Sequence, residues 1–232
     1  MTRPTWTRAR LERVMCLRFG FAKTGGPDTL AAAAAMGVSR RTIQRWLHAP
    51  HGRSLAHIPP KRLAQLLELL LPSQETRDRE AHQARYAEKA ISGLHLPKKM
   101  GILPAWEKQR WLEQHLVAVL EIKVHHLRIR QLVTSRSETT KLDELKRRGR
   151  IVDMAVVPTR FHATALTHRA LTELEPWRYE ASADQVKAGF TQCWLADGPP
   201  THLDRWAREL EESRRRSSGG VTDSRVGAPS QG

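Results

Sequence analysis

Residues 121–133 read "EIKVHHLRIRQLV", and the fold class turns on them. Leu127 and Ile129 alternate with Arg128 and Arg130, the period of a half-buried strand. The same residues also extend a helix begun upstream. Trp106, Leu112, Leu116, Val119 and Leu120 recur at helical spacing over residues 105–120. Pattern alone leaves the two readings level, because short apolar runs fit either period. Elsewhere one strand is plain: "IVDMAVV" at 151–157 is β-branched and stopped by Pro158. The expected fold is therefore mainly α, with one or two short strands.

Working outward, the flanks read as helices. Residues 8–21, 61–72 and 73–92 carry helical periodicity, the last with Ser73 as N-cap. "SRSETT" at 135–140 reads as a polar loop, and "LDELKRRGR" as a short helix closed by Gly149. Helices are expected over 159–174, over 182–196 with Ser182 as N-cap, and over 201–215. Residues 216–232 are Ser/Gly-rich without apolar periodicity, the composition of a disordered tail. The expected organisation is a helix-turn-helix domain over 1–72, then a charged helix and connector over 73–104. A helical domain with a short β element follows over 105–215, and the tail over 216–232.

Charge narrows the partners. The chain has 39 Lys+Arg against 24 Asp+Glu, a formal net charge of +15. Such a surplus favours polyanions without choosing among them. Residues 1–60 hold ten Lys/Arg against only Glu12 and Asp28, an excess of eight. No apolar run is long enough for a bilayer, and the basic N-terminus lacks the apolar core of a signal peptide. Cys16 and Cys193, far apart in sequence, read as two thiols of a cytoplasmic protein associated with the nucleoid.

The N-terminal excess centres on "DTLAAAAAMGVSRRTIQRWLH" at 28–48. Asp28 caps a first helix, and the small alanines allow a second helix to cross closely, with Ala33 at the crossing. Gly37 suits the positive φ of a tight turn, and Ser39 caps the second helix. Ile43, Trp46 and Leu47 then face Leu30, Ala33 and Met36. The opposite face carries Arg40, Arg41, Gln44, Arg45 and His48. Arginine can grip guanine O6/N7 and glutamine can read adenine, so Ser39, Arg40, Arg41, Gln44, Arg45 and His48 are the expected DNA contacts. A plain helical hairpin with a solvated basic face is the bland alternative.

Other chemistry finds little footing. His125–His126 lacks further ligands at metal spacing, and neither cysteine sits near a histidine pair. The glycine-rich phosphate-binding motifs and the nucleophile elbow are missing, and acidic residues do not cluster for two-metal catalysis. No cofactor, metal site or autonomous enzyme activity is expected. The strand and two expected helices at 151–196 suggest a ribbon-helix-helix unit. Its strand is apolar on both faces, which favours burial or a homodimer over base reading.

Several blocks resemble the terminal proteins that cap telomeres of actinobacterial linear chromosomes and plasmids. They are "MGVSRRTIQRWL", "EKAISGLHLPKKMGI", "ETTKLDELKRRGRIVDMAVVPTRFHATAL" and "DQVKAGFTQCWLADG". Extra sequence lies between the second and third, at about 102–137. The resemblance implies a hydroxyl that is nucleotidylated, primes synthesis at the DNA end and stays joined to the 5′ phosphate. It implies a DNA polymerase as catalyst and a telomere-recognition protein as partner. By position the acceptor is Thr139 or Thr140, with Ser137 next in line. The competing expectation is a non-covalent regulator or replication-origin binder of a plasmid or phage. A recombinase accessory protein is a third.

Overall fold

Residues 121–133 are the turn and arms of a β-hairpin, and the architecture follows from it. The computed structural model describes residues 6–48, 55, 57–94, 102–182, 185–186 and 189–219. Four helices come first: α1 (Arg8–Phe19), α2 (Thr29–Met36), α3 (Arg40–Leu47) and α4 (Pro60–Leu70). The long α5 (Gln74–Leu94) and the short α6 (Pro104–Lys108) precede the hairpin of β1 (His115–Val124) and β2 (Leu127–Arg136). Then come α7 (Thr139–Arg148), β3 (Arg150–Val157), α8 (Arg160–Glu173), β4 (Arg178–Tyr179), β5 (Cys193–Leu195) and α9 (Leu203–Gly219). The strands form one antiparallel sheet in the order β3-β1-β2-β5-β4.

This overturns the mainly α expectation: the fold is mixed, with nine α-helices among the described residues around a five-stranded sheet. The helix expected over 105–120 stops at Lys108, and β1 takes the rest. The physical reason is burial on both sides. Leu116 through Leu120 are all buried, because β1 is a central strand with helices on each face. Such a strand loses its two-residue alternation and reads as an apolar run. The helix expected over 182–196 is replaced by turns and by β5. Residues 183–184 and 187–188 lie outside the described residues. Nor is β3 the outer ribbon of a ribbon-helix-helix pair; it pairs with β1 of its own chain.

Cross-strand partners share a sheet face. On one face Val117, Val119, Leu132, Ala155, Val157 and Trp194 pack on α8 and α9. Asp153 on that side accepts a bond from the Leu203 N–H at 3.0 Å, at the first turn of α9. On the other face Leu116, Ala118 and Leu120 pack on Leu142 and Leu145 of α7. Gly149 closes α7 as expected, and a Cβ there would lie 2.7 Å from the Glu121 carbonyl. Further along this face, Ile129, Tyr179, Cys193 and Leu195 join the core of α1–α4. The helix-turn-helix segment thus rests on the sheet through a shared core.

Other elements match expectation. Ser73 Oγ accepts from the Thr76 N–H at 3.2 Å and opens α5, and α8 begins within two residues of Pro158. Helix α9 runs to Gly219, into the segment read as a tail, and residues 220–232 lie outside the described residues. Cys16 and Cys193 are free and buried. Burial pushes the Cys16 thiol up to about 11, with Glu12 adding to the shift, and the Cys193 thiol up to about 12. Among the described residues no helix is long and apolar enough to cross a membrane.

Candidate nucleic-acid interface

The geometry of α2 and α3 follows from their caps. Asp28 Oδ1 accepts from the N–H groups of Leu30 (2.9 Å) and Ala31 (3.1 Å), satisfying two donors at the start of α2. At its end Gly37 adopts φ +61° and ψ +39°, and Val38 N–H bonds back to the Ala33 carbonyl at 3.1 Å. That left-handed turn is the glycine's reason for being there. Ser39 accepts from Thr42 N–H at 3.2 Å and starts α3. Ala32, Ala33 and Met36 bury against Ile43, Trp46 and Leu47. Leu30 does not take part: it is 66% exposed, a correction to the expected packing. Ala32 fills the place assigned to it.

The face of α3 turned away from this core forms a shallow depression of about 530 Å3. Ser39, Arg41, Gln44, Arg45 and His48 line it, joined by Thr42. Sequence reasoning missed Thr42; its place one turn from Ser39 and from Arg45 was the available signal. Arg40 is exposed but stands apart, its Nε donating to Thr29 Oγ1 at 3.1 Å across the start of α2. It braces the two helices, so five of the six expected contacts converge and the sixth supports them.

Charge is distributed more narrowly than the sequence count suggests. Arg10 is 4% exposed, lies over Trp6 and Trp177, and donates to the Trp177 carbonyl at 3.3 Å; burial lowers its pKa. Arg13 pairs with Asp197 at 2.8 Å, and Arg18 with Glu180 at 3.8 Å. By contrast Arg41 and Arg45 are exposed, with no carboxylate within 4 Å among the described residues. Arg3 and Arg53 lie outside those residues. Of the remainder, Arg8 opens α1 and Lys23 lies in the turn after it, while Arg40, Arg41 and Arg45 gather on α3.

Comparison with known protein families, curated proteins and solved structures gives no match. The chemistry of the site therefore has to be read from its own atoms. An eight-residue helix is about 12 Å long, the width of the DNA major groove. Two arginines, an amide and two hydroxyls on its outer face provide donors and acceptors suited to base edges and phosphates.

The other expected site is differently placed from its reading. Residues 135–140 are not a mobile loop. Ser135 and Arg136 end β2, Ser137 N–H bonds to the Gln114 carbonyl at 3.0 Å, and Thr139–Thr140 open α7. Glu138 between them pairs with Arg136 at 3.2 Å and Arg110 at 3.4 Å. The segment is short and tied because β2 and α7 leave only two residues to join them. Ser137, Thr139 and Thr140 are nonetheless all exposed. His125 and His126 form the tip of the β1–β2 hairpin, packed on Phe21 with ring centroids 4.3 and 5.5 Å away.

Proposed function

We propose that this protein binds duplex DNA with α3 in the major groove, and that it acts at the ends of linear replicons. The observation that carries the first part is the α3 face. Arg41, Gln44 and Arg45 converge on one depression while Ile43, Trp46 and Leu47 anchor the opposite side in the core. A rigid helix presenting unpaired cations is what phosphate and base contacts need.

The second part rests on the resemblance to telomere terminal proteins together with the exposure of Ser137, Thr139 and Thr140. In this reading one hydroxyl oxygen attacks the α-phosphate of a nucleotide in a polymerase active site. An O–P bond forms, the α–β phosphoanhydride bond of the triphosphate breaks to release pyrophosphate, and the hydroxyl proton, made acidic by the polymerase metal ions, passes to water. The protein supplies the nucleophile and its position, and the polymerase supplies the catalysis. Thr139 and Thr140 sit in the first turn of a helix, so they enter that site as a fixed corner and not as a flexible loop. A telomere-recognition protein would direct the complex to its end. A homodimer would use β3, which ends the sheet and exposes Met154 (42%) and Val156 (49%).

Denaturing extraction tests the covalent part. Replicon DNA prepared in SDS without protease should carry the protein on its terminal restriction fragments. Its absence from those fragments, with sequence-specific duplex binding retained, returns the reading to a non-covalent regulator or origin binder.

A further inference from the structure

Helices α5 and α8 pack side by side, and a second cavity opens between them, outside the α3 face. Its volume is about 390 Å3, within the range of small-molecule sites. Three aromatic rings wall it: Tyr86, Trp111 and Phe161. They meet edge to face. Trp111 and Phe161 are 5.8 Å apart at 84°, and Tyr86 and Phe161 are 6.2 Å apart at 64°. Phe161, only 3% exposed, forms the floor, and the ring surface open to an occupant belongs to Tyr86 and to half-buried Trp111. Tyr86 is 46% exposed, although Trp106 Nε1 donates to its hydroxyl at 3.2 Å and fixes its place.

The polar wall is equally specific. The Arg160 guanidinium lies 4.5 Å from the Trp111 ring centre, stacked on it, with no carboxylate within 4 Å among the described residues. His82, Gln83 and Thr164 complete the rim, and no acidic side chain lines the cavity. A cationic occupant meets only a like charge here. A purely apolar one leaves Arg160 without a counter-charge. A planar ring joined to an anion satisfies both walls.

We infer that this cavity is a binding site for an unpaired nucleotide, its base against Tyr86, Trp111 and Phe161 and its phosphate on Arg160. Base–aromatic stacking and guanidinium–phosphate contact are the two interactions by which proteins hold unpaired nucleotides. Gln83 and Thr164 offer an amide and a hydroxyl to the base edge. The site is independent of duplex binding by α3 and stands or falls separately. The same chemistry fits a free nucleotide and the unpaired end of a DNA strand.

Tryptophan fluorescence of the full chain is titrated with deoxynucleoside 5′-monophosphates and, separately, with a 5′-phosphorylated single-stranded pentanucleotide. Saturable quenching is expected, absent in Trp111→Phe and shifted at least tenfold to weaker binding in Arg160→Gln. Arg160 is exposed, so that variant stays folded, and a circular dichroism spectrum checks it. Quenching by both probes assigns the site to the nucleotide itself, and by the pentanucleotide alone to a strand end. The Arg41→Ala/Arg45→Ala variant should bind both probes as the wild type does. Absence of saturable quenching by either probe overturns the proposal, as does quenching that Arg160→Gln and Trp111→Phe leave unchanged.

Discussion

The α3 face and the sheet are both rich in arginine, yet they use it in opposite ways. Around the sheet several cations are held by carboxylates. Glu121, a carboxylate only 10% exposed, has Arg150 at 3.0 Å, Arg128 at 3.5 Å and Arg130 at 3.9 Å. Arg178, 2% exposed, reaches Glu80 at 2.9 Å, Glu175 at 3.1 Å and the Thr191 carbonyl at 2.8 Å. Arg169 is bonded to Glu209. On α3 the cations project from a packed helix toward solvent. Net charge is therefore a poor guide to where a polyanion would dock. The local supply of carboxylates decides it, and residues 28–48 contain only Asp28, already used as a helix cap.

The sharpest way to break this contrast is Arg178→Ala. If the arginine is structural, its loss strands Glu80 in a half-closed site and destabilises the fold by about 3–5 kcal/mol, the cost of splitting a buried pair. Urea unfolding measures it, and duplex affinity per folded molecule should not change. A stable variant with weakened DNA binding would merge the two regions into one surface.

A smaller effect sharpens the contrast from the other side. Glu121→Gln removes the charge that occupies three arginines, two of them 70% exposed. A loss of about 1–3 kcal/mol of stability is expected. The freed cations should also strengthen non-specific DNA binding at low salt. The log–log salt slope should steepen by about one unit for each phosphate gained. An unchanged slope would mean that those guanidinium groups stay unavailable without Glu121.

The smallest effect concerns pH. His115 is 5% exposed, with Nδ1 2.9 Å from the Glu113 carbonyl; burial lowers its pKa from the ordinary 6.5, with Arg160 and Arg136 adding to the shift. The unfolded chain then binds the proton more readily than the native one, so stability falls as pH drops below about 6.5. His115→Gln should flatten that part of the stability profile, read from thermal unfolding between pH 5 and pH 7. The α3 face has no such buried histidine, and duplex affinity of the folded variant should match the wild type.

The two regions also differ in how far their sequence discloses them. The helix-turn-helix is written in neighbours: Asp28, the alanines, Gly37 and Ser39 act within a few residues of one another. Its face could be read in advance except for Thr42, for the bracing role of Arg40 and for exposed Leu30. The hairpin could not be separated from a helix. Central burial removes the alternation of β1. Its turn uses His125 at φ +52°, where Gly or Asn would have announced it. β5 is three residues long and holds its place by pairing with β2, about sixty residues earlier. The aromatic cavity was illegible for the same reason, since Tyr86, Trp111 and Phe161 come from separate segments. The priming hydroxyls were located by resemblance, and their helical setting emerged only with α7.

One binding experiment addresses the central claim, that α3 is where the protein meets duplex DNA. Arg41→Ala/Arg45→Ala is compared with Lys146→Ala/Arg205→Ala, which removes equal charge from the exposed surfaces of α7 and α9. Fluorescence anisotropy on a duplex is read across a salt series, with thermal unfolding as the folding control. The α3 variant should unfold like the wild type, bind at least tenfold more weakly and lose about two units of salt slope, while the other stays within about twofold. Equal losses in both variants, or none in the first, would contradict the assignment.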